Sequence, residues 1–287
     1  MKKTNMAKAV SLALGTGTFA LAGPAFAQDW MSQDFIKPYD ETVTIGLGGI
    51  VNQFDTSLRL DGSGNNTSHG TDINLENNGL KKNLSSFEGA LSWRFAQRHR
   101  LDLDYYTVSR SGSKSYTGDI NIGGNDYPVG ANVNIRNKYD LGSIDYRYSF
   151  SQSPDFEWAA LIGFYGGKFT FDVNAIGAVG SASNTAAYNK SVSTTLPLPL
   201  VGLTADWYLS PQTRLGAQAM GMQAKIGDVD GHAYQLQLSG DYMLVRNMGI
   251  GAKWVYTDIA ASVDKSDFNG HMGWRANSFS LYAKLIF

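Results

Sequence analysis

The chain contains no cysteine, which excludes disulfide staples, thiolate nucleophiles and cysteine-ligated metals. Charge is sparse: Asp, Glu, Lys and Arg make up 17% of 287 residues, and 24 basic side chains nearly balance 25 acidic ones. With no basic excess there is no electrostatic footprint for nucleic acid, so nucleic acid is not an expected partner. Beyond residue 27 no apolar run is long enough to cross a bilayer as a helix. Proline is also scarce, at 7 residues, and apart from Pro197 and Pro199 it falls in the leader or in connections.

What is abundant is glycine, at 32 residues, and aromatic side chains, at 12%. These are arranged with a period of two. In the last stretch Phe279, Leu281, Ala283, Leu285 and Phe287 share one parity, while Ser280, Tyr282 and Lys284 share the other. Such alternation predicts a strand with two unlike faces. The same pattern recurs upstream. Val43, Ile45, Leu47 and Val51 oppose Thr42, Thr44, Gly46, Gly48 and Asn52. Phe87, Leu91, Trp93 and Phe95 oppose Ser86, Glu88, Ser92 and Arg94, and Leu101, Leu103 and Tyr105 oppose Arg100, Asp102 and Asp104. Further alternating segments cover Ser143 to Phe150, Trp158 to Val173, Val201 to Leu209, Arg214 to Ile226, Tyr234 to Leu244 and Ile250 to Thr257. The phase changes by one residue at Gly166-Gly167, where a β-bulge would restore the facing; the alternative is a strand that leaves the membrane there. A similar slip lies near Met220-Gly221. Pro197 and Pro199, which cannot donate to a ladder, are expected at a rim.

The connections alternate in length. Short turns are expected near residues 97–99, 151–155, 210–213 and 246–249, and longer ones at 55–83, 111–133, 176–194 and 264–270, with 227–231 a short exception. A closed sheet of ten antiparallel strands with both ends on the short-turn side satisfies this spacing; eight or twelve strands are the alternatives. An apolar strand face ending on an aromatic residue is an aggregation hazard in water, whereas a barrel in lipid gives it a partner. The expected fold class is therefore all-β, an antiparallel transmembrane β-barrel over residues 42–287, with periplasmic termini and long extracellular loops. Residues 28–41, interrupted by Pro38, form a periplasmic lead-in.

The N-terminus carries Lys2, Lys3 and Lys8 before a largely apolar segment and the small-x-small pattern Ala25-Phe26-Ala27. Residues 1–27 read as a secretory signal peptide cut before Gln28. Its removal leaves 21 basic residues from the original 24 against 25 acidic ones, a mildly acidic mature chain.

The terminal row resembles the C-terminal signal of outer-membrane β-barrel proteins, and the pattern of the whole chain resembles the small outer-membrane barrels typified by the membrane domain of outer-membrane protein A. The resemblance implies a Gram-negative outer membrane, with Phe279, Leu281, Tyr282, Leu285 and Phe287 as the assembly signal. It also implies the barrel assembly machinery and periplasmic chaperones as partners, with outer-membrane lipids and lipopolysaccharide around the barrel. It names no partner for the loops.

The inward faces would carry Glu88, Arg94, Arg100, Asp102, Asp104, Arg110, Asp145, Arg147, Asp206, Arg214, Asp241, Lys253 and Lys284. Mixed signs favour mutual pairing over an ion-selective tunnel, which would show an excess of one sign. The leading expectation is a structural or surface-interaction role through the loops, the alternative a narrow channel for small solutes, and the third a lipid-modifying enzyme. For the last, His69, His232 and His271 fall at extracellular connections near Ser68, Asp230 and Asn269, and His99 falls at a periplasmic turn. None shows the His-x-Ser arrangement of a lipid A deacylase, so no catalytic residue is assigned. Asp228-x-Asp230-Gly231 and the loop acids Asp61, Asp72, Glu76, Asp119 and Asp126 match only a fragment of a calcium loop. No metal and no cofactor are expected.

Overall fold

A computed structural model describes residues 34–61, 70–77, 79–115, 120–122, 125–127, 132–178, 185–264 and 269–287. The expected leader 1–27, its cleavage site at Ala25, Ala27 and Gln28, and His69 lie outside the described residues.

The described strands are β1 (Val43–Asp61), β2 (Ile73–Asn74), β3 (Asn83–Ala96), β4 (His99–Ser115), β5 (Ile120–Ile122), β6 (Asn125–Tyr127), β7 (Asn132–Ser153), β8 (Phe156–Ala178), β9 (Thr185–Tyr208), β10 (Thr213–Ile226), β11 (Val229–Val245), β12 (Met248–Asp264) and β13 (Asn269–Ile286). Eleven of them form one sheet in the order β13-β12-β11-β10-β9-β8-β7-β4-β3-β1-β2, and β13 also pairs with β1, which closes a ring. The two-residue β2 pairs with β1, and β5 and β6 form a separate hairpin. Every pairing is antiparallel, joined on one side by tight turns such as the one between Ala96 and His99. Closure sets Ile45 opposite Leu285, Leu47 opposite Ala283 and Val51 opposite Phe279. At the seam, Val43 donates to the Phe287 carbonyl at 3.0 Å and accepts from the Phe287 amide at 2.8 Å.

The strands are longer than the alternating segments suggest. A 24-residue strand such as β9 extends roughly 80 Å at ~3.3 Å per residue, whereas a tilted bilayer crossing takes ~9–11 residues. The surplus lies on the side of the longer connections, and there the polarity of the two faces reverses. In the first half of β1, Leu47 and Val51 point outward; in the second half Phe54, Leu58 and Leu60 point inward and are buried, while Gln53 and Asp55 are exposed. β13 does the same, with Phe279 and Leu281 outward and Trp274 and Ala276 buried inside.

This reversal corrects several sequence expectations. No bulge sits at Gly166-Gly167: β7 and β8 pair without a shift from Asn132↔Ile176 to Ser149↔Ala159. Phe169 keeps the inward parity of Tyr165 and is buried because the lumen has become apolar, not because the strand has slipped. Two glycines at this point have positive φ, and a Cβ on Gly167 would lie 1.9 Å from the Asp140 carbonyl oxygen. Met220-Gly221 is likewise in continuous register. Residues 55–61, expected in a loop, belong to β1, and much of the stretch expected as the loop 176–194 is strand. Pro197 and Pro199 lie within β9, where pairing with β10 has ended at Gly221↔Val201 and only the β8 side remains bonded. A residue without an N–H is tolerated on such a free edge.

Candidate functional site

The interior divides into two chemically unlike zones. At the tight-turn end, every expected inward charge is buried or half-buried, and all but Asp145 are joined to others. Glu157, 2% exposed, is the hub. It accepts from Arg94 through both nitrogens, at 3.1 and 3.2 Å, from Tyr208 at 3.2 Å and from the Ser149 hydroxyl, and it lies 3.9 Å from Arg100. Glu41 adds contacts of 3.2 Å to Arg100 and 3.8 Å to Arg94. From there the pairs run around the wall. Arg147 Nε lies 2.7 Å from Asp102, an ion contact not aligned as a hydrogen bond, and 3.7 Å separates Arg147 from Asp206. Asp206 meets Arg214 at 3.0 Å, Arg214 reaches Asp241 at 4.0 Å, and Lys284 binds Asp241 at 2.7 Å. Lys253 stands between Glu88 at 3.4 Å and Asp104 at 3.3 Å. Asp145 has no ion pair among the described residues and accepts from Ser143 at 3.0 Å.

Two of these carboxylates were missed in the sequence. Glu157 has inward parity beside Trp158 but stands at the very start of its strand. Glu41 precedes β1, in the lead-in. That lead-in packs across the ring's end: Tyr39, at φ 75°, donates to the carbonyls of Ser153 and Phe156 and packs edge-on against Tyr208 with ring centroids 5.5 Å apart. Burial, then the negative charge of Glu157, raises the Tyr39 hydroxyl to about 12.

Toward the other end the lumen is filled by apolar side chains. Phe54, Tyr139, Phe169, Leu75, Leu141 and Trp274 are at most 1% exposed. Leu75 and Leu80 come from the described part of the connection after β1, which turns into the lumen. The Leu75 amide donates to Thr56 O at 2.8 Å, and the Phe54 amide donates to Lys82 O at 2.9 Å. Arg110 is isolated from the other expected charges by this packing. It binds Glu76 at 2.6 Å, donates to the Thr56 hydroxyl at 2.9 Å and lies 4.3 Å from the centre of the Phe54 ring. Glu76, considered a loop acid in the sequence, therefore latches this inward turn. The cavities that remain are small, about 130 Å³ beside Arg100, Asp102 and Lys284 and about 60 Å³ beside Tyr106, Asp145 and Tyr165.

The outer wall is the complement of this interior. Phe87, Trp93, Phe95, Trp158, Ile162, Phe164, Leu236, Leu238 and Ile250 are all exposed, forming a broad apolar belt. In water such a belt would drive association. Among known structures the chain is similar to the outer membrane protease OmpT from Escherichia coli, with a TM-score of 0.56 and 10% identity over 89% of this chain and 100% of that one. The fold is that of an outer-membrane β-barrel. The toluene transporter TodX from P. putida also matches, with a TM-score of 0.39 and 6% identity over 88% of this chain and 93% of that one. So does the attachment invasion locus protein Ail of Yersinia pestis, with a TM-score of 0.29 and 9% identity over 86% and 99%. No family model and no curated relative matches the sequence.

On this barrel the remaining candidates stand apart from the lumen. Of the residues expected as an assembly signal, Phe279, Leu281 and Leu285 lie on the outer face of β13 and Phe287 follows its last residue, whereas Tyr282 points inward and donates to Asp241 at 2.6 Å. His99 contacts the Tyr146 hydroxyl at 2.6 Å beside the β3–β4 turn. His232 and His271 have outward parity; His232 is 3.7 Å from Asp258, and His271 is 3.0 Å from the Ser262 hydroxyl. Ser262 and His271 are directly opposed in the β12–β13 register, which is enough to produce that contact. Asp61 accepts from Gly70 at 2.7 Å and pairs with Arg59 at 3.0 Å, while Asp72 lies 3.9 Å from Arg59. Asp228 is exposed in the β10–β11 turn and Asp230 is exposed in β11 opposite Lys225, Asp126 lies in β6, and Asp119 is outside the described residues. Among the described residues no three acidic or His side chains gather as a metal site.

Proposed function

We propose that this chain is an integral protein of a Gram-negative outer membrane, a closed barrel whose part beyond the membrane is its working surface. Ten strands span the bilayer in this reading, both ends lie in the periplasm and the longer connections lie outside. The leader 1–27 directs export, and the assembly machinery recognises the terminal row. The observation that carries the reading is the filled lumen: ion pairs occupy the membrane half and an apolar core, completed by Leu75 and Leu80, occupies the outer half. A conducting pore needs a continuous wet path, and aromatic packing around Tyr139 and Trp274 interrupts one.

Planar-bilayer recording of the refolded protein tests this. The expected trace shows no sustained conductance, and regular open steps would overturn the closed reading. Outer-membrane fractionation with heat-modifiable gel mobility tests the location, and recovery as a soluble periplasmic protein would overturn it. A narrow channel is the second reading. The 130 Å³ polar cavity favours it, because withdrawal of the inward turn would leave that cavity as the start of a path.

A further inference from the structure

Beyond the apolar belt, ladder pairing stops between β3 and β4 and again between β9 and β10. β3 and β4 pair from Ala96↔His99 to Glu88↔Tyr106. Past that point the inward turn lies against β4, so close that a Cβ on Gly112 would sit 2.4 Å from the Gly79 carbonyl carbon. β9 and β10 pair from Tyr208↔Arg214 to Val201↔Gly221. Past that point β10 ends at Ile226, which a continued register would set level with Leu196, whereas β9 runs on to Thr185 bonded only to β8.

The direction of the free backbone groups follows from the bonds below. The Tyr208 amide donates to Asp155 O on the β8 side, and the Leu209 amide donates to Thr213 O on the β10 side. Successive residues of a strand alternate in this way, and β9 has no register shift against either neighbour, so its odd-numbered residues face β10. Pro199 and Pro197 are the next two, and with no N–H they end the ladder. Beyond them Thr195, Ser193, Ser191, Asn189, Ala187 and Thr185 offer N–H and C=O to an edge that no described strand occupies. An open edge of this kind is a template for another strand.

We propose that this edge pairs with the same edge of a second copy of the chain. The described side chains of its outward row, Asn189, Ser191, Ser193 and Thr195, are exposed and uncharged. No charge on that row selects a foreign peptide, whereas an antiparallel edge is complementary to itself about a two-fold axis. Setting Thr185 opposite Thr195, Ala187 opposite Ser193 and Asn189 opposite Ser191 uses the whole edge and keeps the partner's tip clear of the β10–β11 hairpin. Lys190, the one charge between residues 185 and 195, then falls on the axis opposite its own copy. Like charges directly opposite weaken a strand pair, and salt screens them, so the contact strengthens as salt rises. The axis crosses the strands, so the two barrels point in opposite directions and sit in opposed membranes. At ~2.5 Å of height per residue Lys190 stands roughly 25–30 Å above Val201, which puts the two belts roughly 50–60 Å apart. The inference rests on the outer-membrane placement proposed above.

The test uses the barrel reconstituted in phosphatidylcholine vesicles, with clustering read by light scattering. Flotation with the vesicles and heat-modifiable mobility certify each variant as inserted and folded. Failure there counts against the membrane placement; failure to cluster with both intact counts against the edge. Barrel-bearing vesicles should cluster with one another, more strongly as salt rises, and not with empty vesicles. S191P/S193P removes two edge donors from each copy and leaves the β8 ladder its bonds, so association should weaken roughly a hundredfold or more. S191A/S193A keeps the backbone groups and should cluster like wild type, and K190S should cluster at lower salt. In a chain without cysteine, K190C should form a disulfide between copies, because non-hydrogen-bonded partners stand about 4.5 Å apart. Undiminished clustering by folded S191P/S193P would overturn the edge, as would an equal loss in S191A/S193A or no K190C cross-link. So would a folded wild type that stays unclustered at every salt concentration, the result expected if the edge takes another protein's strand.

Discussion

Replacing Glu76 by alanine asks whether the inward turn is held in place or merely rests on the barrel. In the intact protein the Arg110 side chain is fully buried and, among the described residues, Glu76 is the one carboxylate it pairs with, 2.6 Å away. The same carboxylate accepts from the Thr56 amide at 2.7 Å, so one substitution removes a charge pair and a backbone acceptor together. Leaving a buried charge without its partner costs about 3–5 kcal/mol, whereas exchanging both partners for apolar residues of similar size is often neutral or better. E76A should therefore lower the stability of the lipid-refolded barrel by about 3–5 kcal/mol, and E76L/R110M should recover most of that loss. Urea unfolding followed by tryptophan fluorescence measures both. If water reaches Arg110 because the turn swings out, the stability loss shrinks and conductance appears in a planar bilayer instead. A cost below about 1 kcal/mol, the range of an exposed pair, with no conductance would refute the latch.

Trp274, 1% exposed between Phe54 and Tyr139, should cost about 3–5 kcal/mol on truncation to alanine, measured by the same unfolding assay. The Tyr39 hydroxyl, held up near 12 against an ordinary 10.0, gives a defined alkaline window. The unfolded chain loses this proton first, so the stabilisation is complete below pH 10 and is lost as pH rises toward 12; tyrosinate absorbance with protease sensitivity of the lead-in should show this in wild type but not in Y39F. Deleting Phe287 removes the carbonyl that receives Thr42 at 2.7 Å and Val43 at 3.0 Å. Its expected effect falls on assembly yield in cells, with a smaller change in the urea midpoint of whatever barrel forms.

Strand facing was the legible part of this fold. Period-two alternation is a local property, and it marks Phe87, Trp93, Ile162, Leu203 and Leu238 as one surface without any tertiary information. Where strands end was less legible, because alternation was expected to keep apolar residues outside throughout. Beyond the belt the outer face meets water, so Asp55 and Lys168 occupy positions that a membrane strand gives to Leu or Phe, while Phe54 and Phe169 take the lumen. A sequence reader following apolar parity sees a slip at Gly166-Gly167, although the ladder is continuous. The same inversion makes residues 55–61 look like loop. The interior charges were readable one by one, but their partners were not: Glu157 and Glu41 come from a strand start and a lead-in, and Glu76 from a connection. Pairing across a lumen joins residues far apart in sequence, such as Arg94 and Glu157, and no local period records it.

The division of the interior also bears on where function can reside. In the belt, lipid fixes the outer row as apolar, so the inner row is free to be polar, but an enclosed polar row must be neutralised in place. This barrel does so with shared ions. Asp206 serves Arg147 and Arg214, Asp241 serves Arg214 and Lys284, and Lys253 serves Glu88 and Asp104. Removing Lys253 would strand Glu88 and Asp104 together, and the shared contacts of Asp206 and Asp241 tie Arg147, Arg214 and Lys284 into one chain, so the network resists the remodelling a solute path would require. Above the belt the opposite solution applies, an apolar core with a wet outer wall, and a packed core resists opening for a different reason, the cavity it would leave. Both halves thus fix the lumen. The surfaces left free to vary are the outer wall and the connections.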